Sequence, residues 1–176
     1  MSDHYWLVCH TKPRCEKKFA ALMKAEQFEH YLALIQSVRR YAQQTKKFTK
    51  PLFPGYVFCR FDVDRRLRVV TSPNITSIVG VGKKPFPVAD EEIQAIQTMV
   101  ASGLPLEPWK YLEVGQRVRI EGGSLEGLTG ILVQEKNSLR VVVNVNLLRR
   151  SVAVEISRER LVAERPAWRS TVMATL

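Results

Sequence analysis

Apolar residues repeat with two periods over the first hundred positions of the chain and with only one period after them. Residues 5–10 are a short aromatic and β-branched run that stops at Thr11-Lys12-Pro13, as a strand does before a proline that can open a helix. From 14 to 27 the apolar positions Cys15, Phe19, Leu22 and Met23 keep the 3-and-4 spacing of an amphipathic, core-packing helix, with Lys17, Lys18, Lys24 and Glu26 elsewhere on the wheel. Residues 31–38 read as a second strand, and 39–50, with five basic residues and no acid, as a mobile basic loop. The third strand, 55–62, places Val57, Cys59 and Phe61 on one face and Tyr56, Phe58 and Arg60 on the other. A short helix at 64–71, a strand at 75–79 and a helix at 90–101, with Ile93, Ile96 and Val100 inward, complete the unit. This order predicts a four-stranded antiparallel sheet backed by helices, the split βαβ arrangement.

Two prolines and a glycine interrupt all periodicity at 102–108, which reads as a linker or hinge. Beyond it only the period of two survives, in strands at 116–120, 127–133, 139–145 and 152–156 separated by turns at 121–124 and 135–138. Short strands with tight turns predict a small SH3-like β-barrel. The chain is thus expected to be α+β, with an N-terminal domain at 1–101, a linker at 102–111, a barrel domain at 112–163 and a tail at 164–176.

Composition narrows the class of partner. The 176 residues are 45% hydrophobic, enough for real cores, and carry a net charge of +10 with a pI near 9.8. The first hundred residues hold 16 Lys and Arg against 9 Asp and Glu, so the attraction for an anionic partner sits mainly there. Cys9, Cys15 and Cys59 are odd in number and lack paired spacing, which fits reduced thiols in a cytoplasm better than a disulfide framework or a metal site. No segment has the length of a membrane span, and the first ten residues lack the charged lead and apolar run of an export signal. His4, His10 and His30 have no base-and-nucleophile partnership, no phosphate-cradling glycine loop is present, and Asp90, Glu91 and Glu92 read as helix-start charges, so catalysis, a cofactor and a metal are not expected.

Two stretches carry a family resemblance. The first is "PLFPGYVFCRFD" at 51–62, preceded by "YWLVCHTKPRCEKK" and followed by "SIVGVGKKPFPV". The second, "VGQRVRIEGGSLEGLTGILV" at 114–133, looks like a KOW motif, in which Gly127 stands between two strands where a side chain would clash or φ must be positive. Together, in this order, they resemble the NusG family of transcription elongation factors over nearly the whole chain. The resemblance implies a factor whose N-terminal domain binds the clamp helices of RNA polymerase, suppresses pausing and promotes processive elongation and antitermination. It assigns polymerase binding to Pro54, Gly55, Tyr56 and Phe58, with the two rings exposed until the partner covers them. On the residues alone, rings in a strand are equally readable as core. Lys12, Arg14, Lys17, Lys18, Arg39, Arg40, Lys46, Lys47 and Lys50 are either phosphate contacts to DNA or nascent RNA of the elongation complex or a solvated charged face.

One segment departs from the family pattern. Housekeeping members carry a Phe-Gly-Arg type loop between the last barrel strands, which helps to bind Rho or a small-subunit ribosomal protein. Here "NVNLLRRSVAVEI" at 144–156 places Leu147, Leu148 and Arg149 at that surface, and the two leucines are open to reading as plain barrel closure. With the high positive charge, this looks more like a specialised paralog devoted to particular operons than like the general factor. A housekeeping factor with a Rho-dependent role, or a KOW-based RNA- or ribosome-binding module, is the alternative. The expected state is a monomer with a stable barrel on a flexible tether, since the β-branched run at 141–145 and 152–156 makes a helical alternative costly.

Overall fold

A computed structural model describes residues 4–41, 44–82, 84–112, 115–135 and 138–164. The first unit runs β1 (Tyr5–Thr11), α1 (Glu16–Ala25), β2 (Glu29–Tyr31), β3 (Leu34–Tyr41), β4 (Gln44–Pro51), β5 (Tyr56–Phe61), α2 (Arg66–Val70), β6 (Ile75–Ile78), β7 (Gly80–Val81), β8 (Lys84–Pro85), β9 (Pro87–Val88) and α3 (Asp90–Ala101). The second runs β10 (Leu106–Lys110), β11 (Gln116–Ile120), β12 (Thr129–Glu135), β13 (Ser138–Val145), β14 (Arg150–Glu155) and β15 (Leu161–Ala163).

The first sheet has the order β2-β5-β1-β6, with β9 also paired to β1, and all its pairings are antiparallel. Strand β5 lies against β1 with Cys59 opposite Leu7 and Phe58 opposite Val8, so the expected alternation holds. Leu7, Cys9, Val57, Cys59 and Phe61 pack with Phe19 and Met23 of α1 and Val69 of α2. Trp6, Val8 and Phe58 belong to the other apolar cluster, which takes in Ile93, Ile96 and Met99 of α3 and continues into the barrel interior. On α3, therefore, Met99 takes the buried position expected of Val100, which is half-buried.

Two segments differ from the sequence expectation. The predicted strand at 31–38 divides into β2 and β3, and the predicted basic loop is half of a long ribbon. Strands β3 and β4 pair in unbroken register from Leu34↔Pro51 to Tyr41↔Gln44 and join no other sheet. Charge was a misleading signal there, because the two strands of an exposed ribbon pair with each other, water satisfies their outer edges, and the side chains beyond Ile35 are left largely free to be polar. The second difference lies in the expected linker, where Leu106–Lys110 forms β10 and pairs along all five residues with β14. Only residues 102–105 separate it from α3.

Strands β10 to β15 form one antiparallel sheet of order β10-β14-β13-β12-β11-β15, curled over Val118, Ile120, Leu125, Val141, Val143, Val145, Val152 and Val154. Gly127 has φ +81 with nothing near its missing Cβ, so backbone conformation and not a clash requires glycine there. At Gly130 the reason is the reverse, since a Cβ would stand 2.6 Å from Val141 and 2.7 Å from the Val142 carbonyl oxygen. Residues 165–176, nearly all of the expected tail, lie outside the described residues.

Candidate functional site

The stretch Phe53-Pro54-Gly55-Tyr56 is a tight turn, with the Tyr56 N–H donating to the Phe53 carbonyl at 3.2 Å and Gly55 at φ +86. Proline second and a positive-φ glycine third make this a type II turn. Both peptide groups of Gly55 are held from outside. Its carbonyl accepts from the Thr11 N–H at 2.8 Å, and its own N–H donates to Glu16 Oε1 at 2.8 Å. Pro54 is exposed, Gly55 and Tyr56 are half-buried, and the Tyr56 ring stacks on His10 at 5.3 Å.

Phe58 does not stand bare, contrary to the expectation for both rings. It is 1% exposed, with Tyr31 stacked at 6.4 Å and Phe53 edge-on at 6.1 Å. The reason is register: Phe58 lies in mid-strand between Val8 of β1 and Tyr31 of β2, whereas Tyr56 lies at the strand end, where only β1 flanks it. Burial pushes the Tyr31 phenol up to about 12, and its hydroxyl is enclosed without a hydrogen-bond partner.

The barrel meets this face. Arg150 places its guanidinium 5.4 Å from the Tyr56 ring centroid. Leu147 and Leu148 are half-buried and pack, like Tyr56 and Tyr31, against the cluster that contains Phe53 and Phe58. Asn146 donates from its main chain at 3.2 Å and from its side-chain amide to the Glu92 carboxylate of α3, and accepts from the Tyr111 hydroxyl at 2.7 Å. Arg149, at φ +50, lies over Tyr111 at 4.2 Å. The seam beside this latch is open. Clefts of about 320 and 250 Å³, both lined by Glu91, Ala95 and Thr129, lie at the surface between α3 and the barrel. A larger hollow of about 640 Å³, lined in part by Leu104, Leu139, Arg140 and Ile156, lies on the barrel at the foot of β10, away from the rings.

The basic candidates divide between two elements. Lys12, Arg14, Lys17 and Lys18 are exposed at the entry to α1 and along it, and Lys46, Lys47 and Lys50 are exposed on the ribbon. Lys17 joins the two, donating to Thr49 Oγ1 at 2.8 Å and to its carbonyl at 3.2 Å. In the ribbon register Lys47 shares a face with Thr49, whereas Lys46 and Lys50 belong to the opposite one. The side chains of Arg39 and Arg40 lie outside the described residues. Cys9 and Cys59 are fully buried, packed sulfurs, and hydrogen bonding with Cys9 together with burial pushes the Cys59 thiol up. Among the described residues no group of His, Cys, Asp and Glu gathers as a metal site, and no helix is long and apolar enough to cross a membrane.

His10, Glu16, Tyr31 and Arg150 belong to the site and were not singled out for it in the sequence. His10 becomes legible only once β1 is registered on β5, and Glu16 reads along the chain as an ordinary helix-start charge.

A family model described as transcription termination factor nusG matches residues 4–97. The transcription termination/antitermination protein NusG of Campylobacter jejuni is 28% identical over 169 residues, covering 89% of this chain and 95% of its own length. That of Thermus thermophilus is 27% identical over 166 residues, covering 80% and 89%. Among solved structures, one described as domain interaction in Thermotoga maritima NusG aligns over 90% of this chain and 96% of its own, with a TM-score of 0.52 and 21% identity, a likeness of fold. Motifs, fold and relatives agree, and the chain belongs to the NusG family of transcription factors.

Proposed function

We propose that the chain binds the clamp helices of RNA polymerase through the face that carries Tyr56, suppressing pausing and promoting processive elongation. The observation that carries this reading is the state of one ring. Tyr56 stands half-buried beside an exposed proline on a braced turn, and Arg150 of the second unit lies over its ring. Pro54 and Gly55 form the approach, and Phe58 serves from below as the floor on which the docking face rests. Lys12, Arg14, Lys17 and Lys18 with the ribbon lysines, Arg39 and Arg40 are the phosphate-facing residues toward the nucleic acid of the elongation complex, positioning it without reading sequence.

In this reading the form described is a closed one. A surface cation over a ring contributes about 0.5–1 kcal/mol, and each exposed hydrogen bond of the Glu92–Asn146 latch about 1 kcal/mol. A tightly binding partner displaces such a cover provided that it also replaces the apolar contact of the cluster shared by the two units. Leu147, Leu148 and Arg149 are the surface for a second partner of the barrel, Rho or a ribosomal protein being the candidates. Leu147 and Leu148, standing where housekeeping members carry a Phe-Gly-Arg type loop, support a specialised, operon-directed factor over the housekeeping one.

The test is polymerase binding by Tyr56→Ala. Its Kd is expected to rise about tenfold to a hundredfold, as for an interface aromatic, while the melting temperature moves by no more than about 3 °C. Unchanged affinity ends the reading.

A further inference from the structure

Gly55 supplies no rigidity of its own. Glycine takes φ of either sign, so the Pro54–Gly55 peptide has two orientations open to it, the type II turn observed and the type I turn reached by flipping that one peptide plane. The turn's internal hydrogen bond, from the Tyr56 N–H to the Phe53 carbonyl, is compatible with both. In type II the central N–H points away from the turn and needs an acceptor. Glu16 provides it, 39 positions earlier in the chain, at 2.8 Å.

Glu16 is only 7% exposed, a rare state for an acid and a costly one unless the carboxylate is hydrogen-bonded. It opens α1 directly after the turn that leaves β1, so the strand that stacks His10 under Tyr56 and the helix that grips Gly55 are consecutive. If the peptide flipped, the Pro54 carbonyl oxygen would face the same carboxylate, acceptor against acceptor.

We infer that Glu16 is the positioning residue of the docking corner: by accepting from the Gly55 N–H it selects the type II turn and so holds the Tyr56 ring on His10 in its docking pose. The importance of that pose for polymerase rests on the reading above. The selection of the turn does not, and it is measurable in the free protein.

The experiment compares Glu16→Gln, which keeps an acceptor, with Glu16→Met, which keeps length and apolar packing but offers no carbonyl-type oxygen, in the full chain. In Glu16→Met the Gly55 amide is expected to exchange with solvent about tenfold faster or more, as befits loss of a hydrogen bond to a charged acceptor, and its NMR resonance to move upfield. The ring-current displacement of the His10 imidazole protons should fall with it, and polymerase affinity should drop about tenfold. Glu16→Gln should stay within about threefold of the parent on each measure. A Glu16→Met protein with unaltered Gly55 exchange and His10 shifts overturns the inference, as does a Gln variant that fails as badly as Met while still folded. The Tyr56→Ala control separates the two ideas. If that variant binds polymerase normally while Glu16→Met loses the His10 shift, the docking reading fails and the turn selection stands.

Discussion

The two faces of the first sheet are built from alternate residues of the same strand and are closed in different ways. On one face Val57, Cys59 and Phe61 are fully buried under α1 and α2, elements of their own unit. On the other, Phe58 is equally buried, yet Tyr56, two residues nearer the turn, is half-buried and shares its cover with Arg150 of the barrel. Burial by a strand's own neighbours comes with folding and is lost only with it. Burial by a module attached through residues 102–105 can be exchanged for burial by something else. The two faces therefore differ in who does the covering, not in how apolar the surface is.

Five substitutions put that contrast under strain. The largest effect is expected at Phe58 and Phe61, where truncation to Ala should each cost about 3–5 kcal/mol in urea denaturation, since both rings are fully buried. If Phe58→Ala were benign while Phe61→Ala was not, the second face would be open in solution far more than its packing indicates. Next is Arg150→Ala, which removes the cover and leaves the ring. Polymerase affinity should rise about twofold to fivefold, the equivalent of one exposed cation–π contact, with stability changed by less than about 1 kcal/mol. Reduced affinity would place Arg150 in the polymerase contact itself. The smallest effect concerns the ribbon. Lys47 shares a face with Thr49, which Lys17 joins to the basic surface of α1, whereas Lys46 does not. Lys47→Gln should lower the slope of log affinity against log salt for the elongation complex by about 1, and Lys46→Gln by less than half as much. Equal slopes would remove any preference between the ribbon's faces.

Much of the fold was legible because its signals are local. Helix Asp90–Ala101 carries three acids in its first turn and apolar residues at helical spacing, and strand Gln116–Ile120 sits between glycine-bearing turns. The ribbon and β10 were not legible. A lysine-rich strand and a proline-bearing edge strand violate the composition that strands ordinarily show, and only their partners, β3 and β14, justify them. Arg140 illustrates the point for β10. It pairs with Glu107 at 3.4 Å and lies over Trp109 at 5.0 Å, a clamp between residues 33 and 31 positions apart.

The candidate site divides along the same line. Pro54, Gly55 and Tyr56 stand out in the sequence because the turn demands a proline and a glycine in that order, and a turn type is a property of four adjacent residues. Family membership was likewise written in contiguous motifs. That Phe58 is floor and Tyr56 is surface, that His10 and Glu16 brace the corner, and that Arg150 lies over it were settled by strand register and by the docking of one unit on the other. Those are relations between residues tens of positions apart, and the period of a chain records which side a residue faces but not what will come to lie against it.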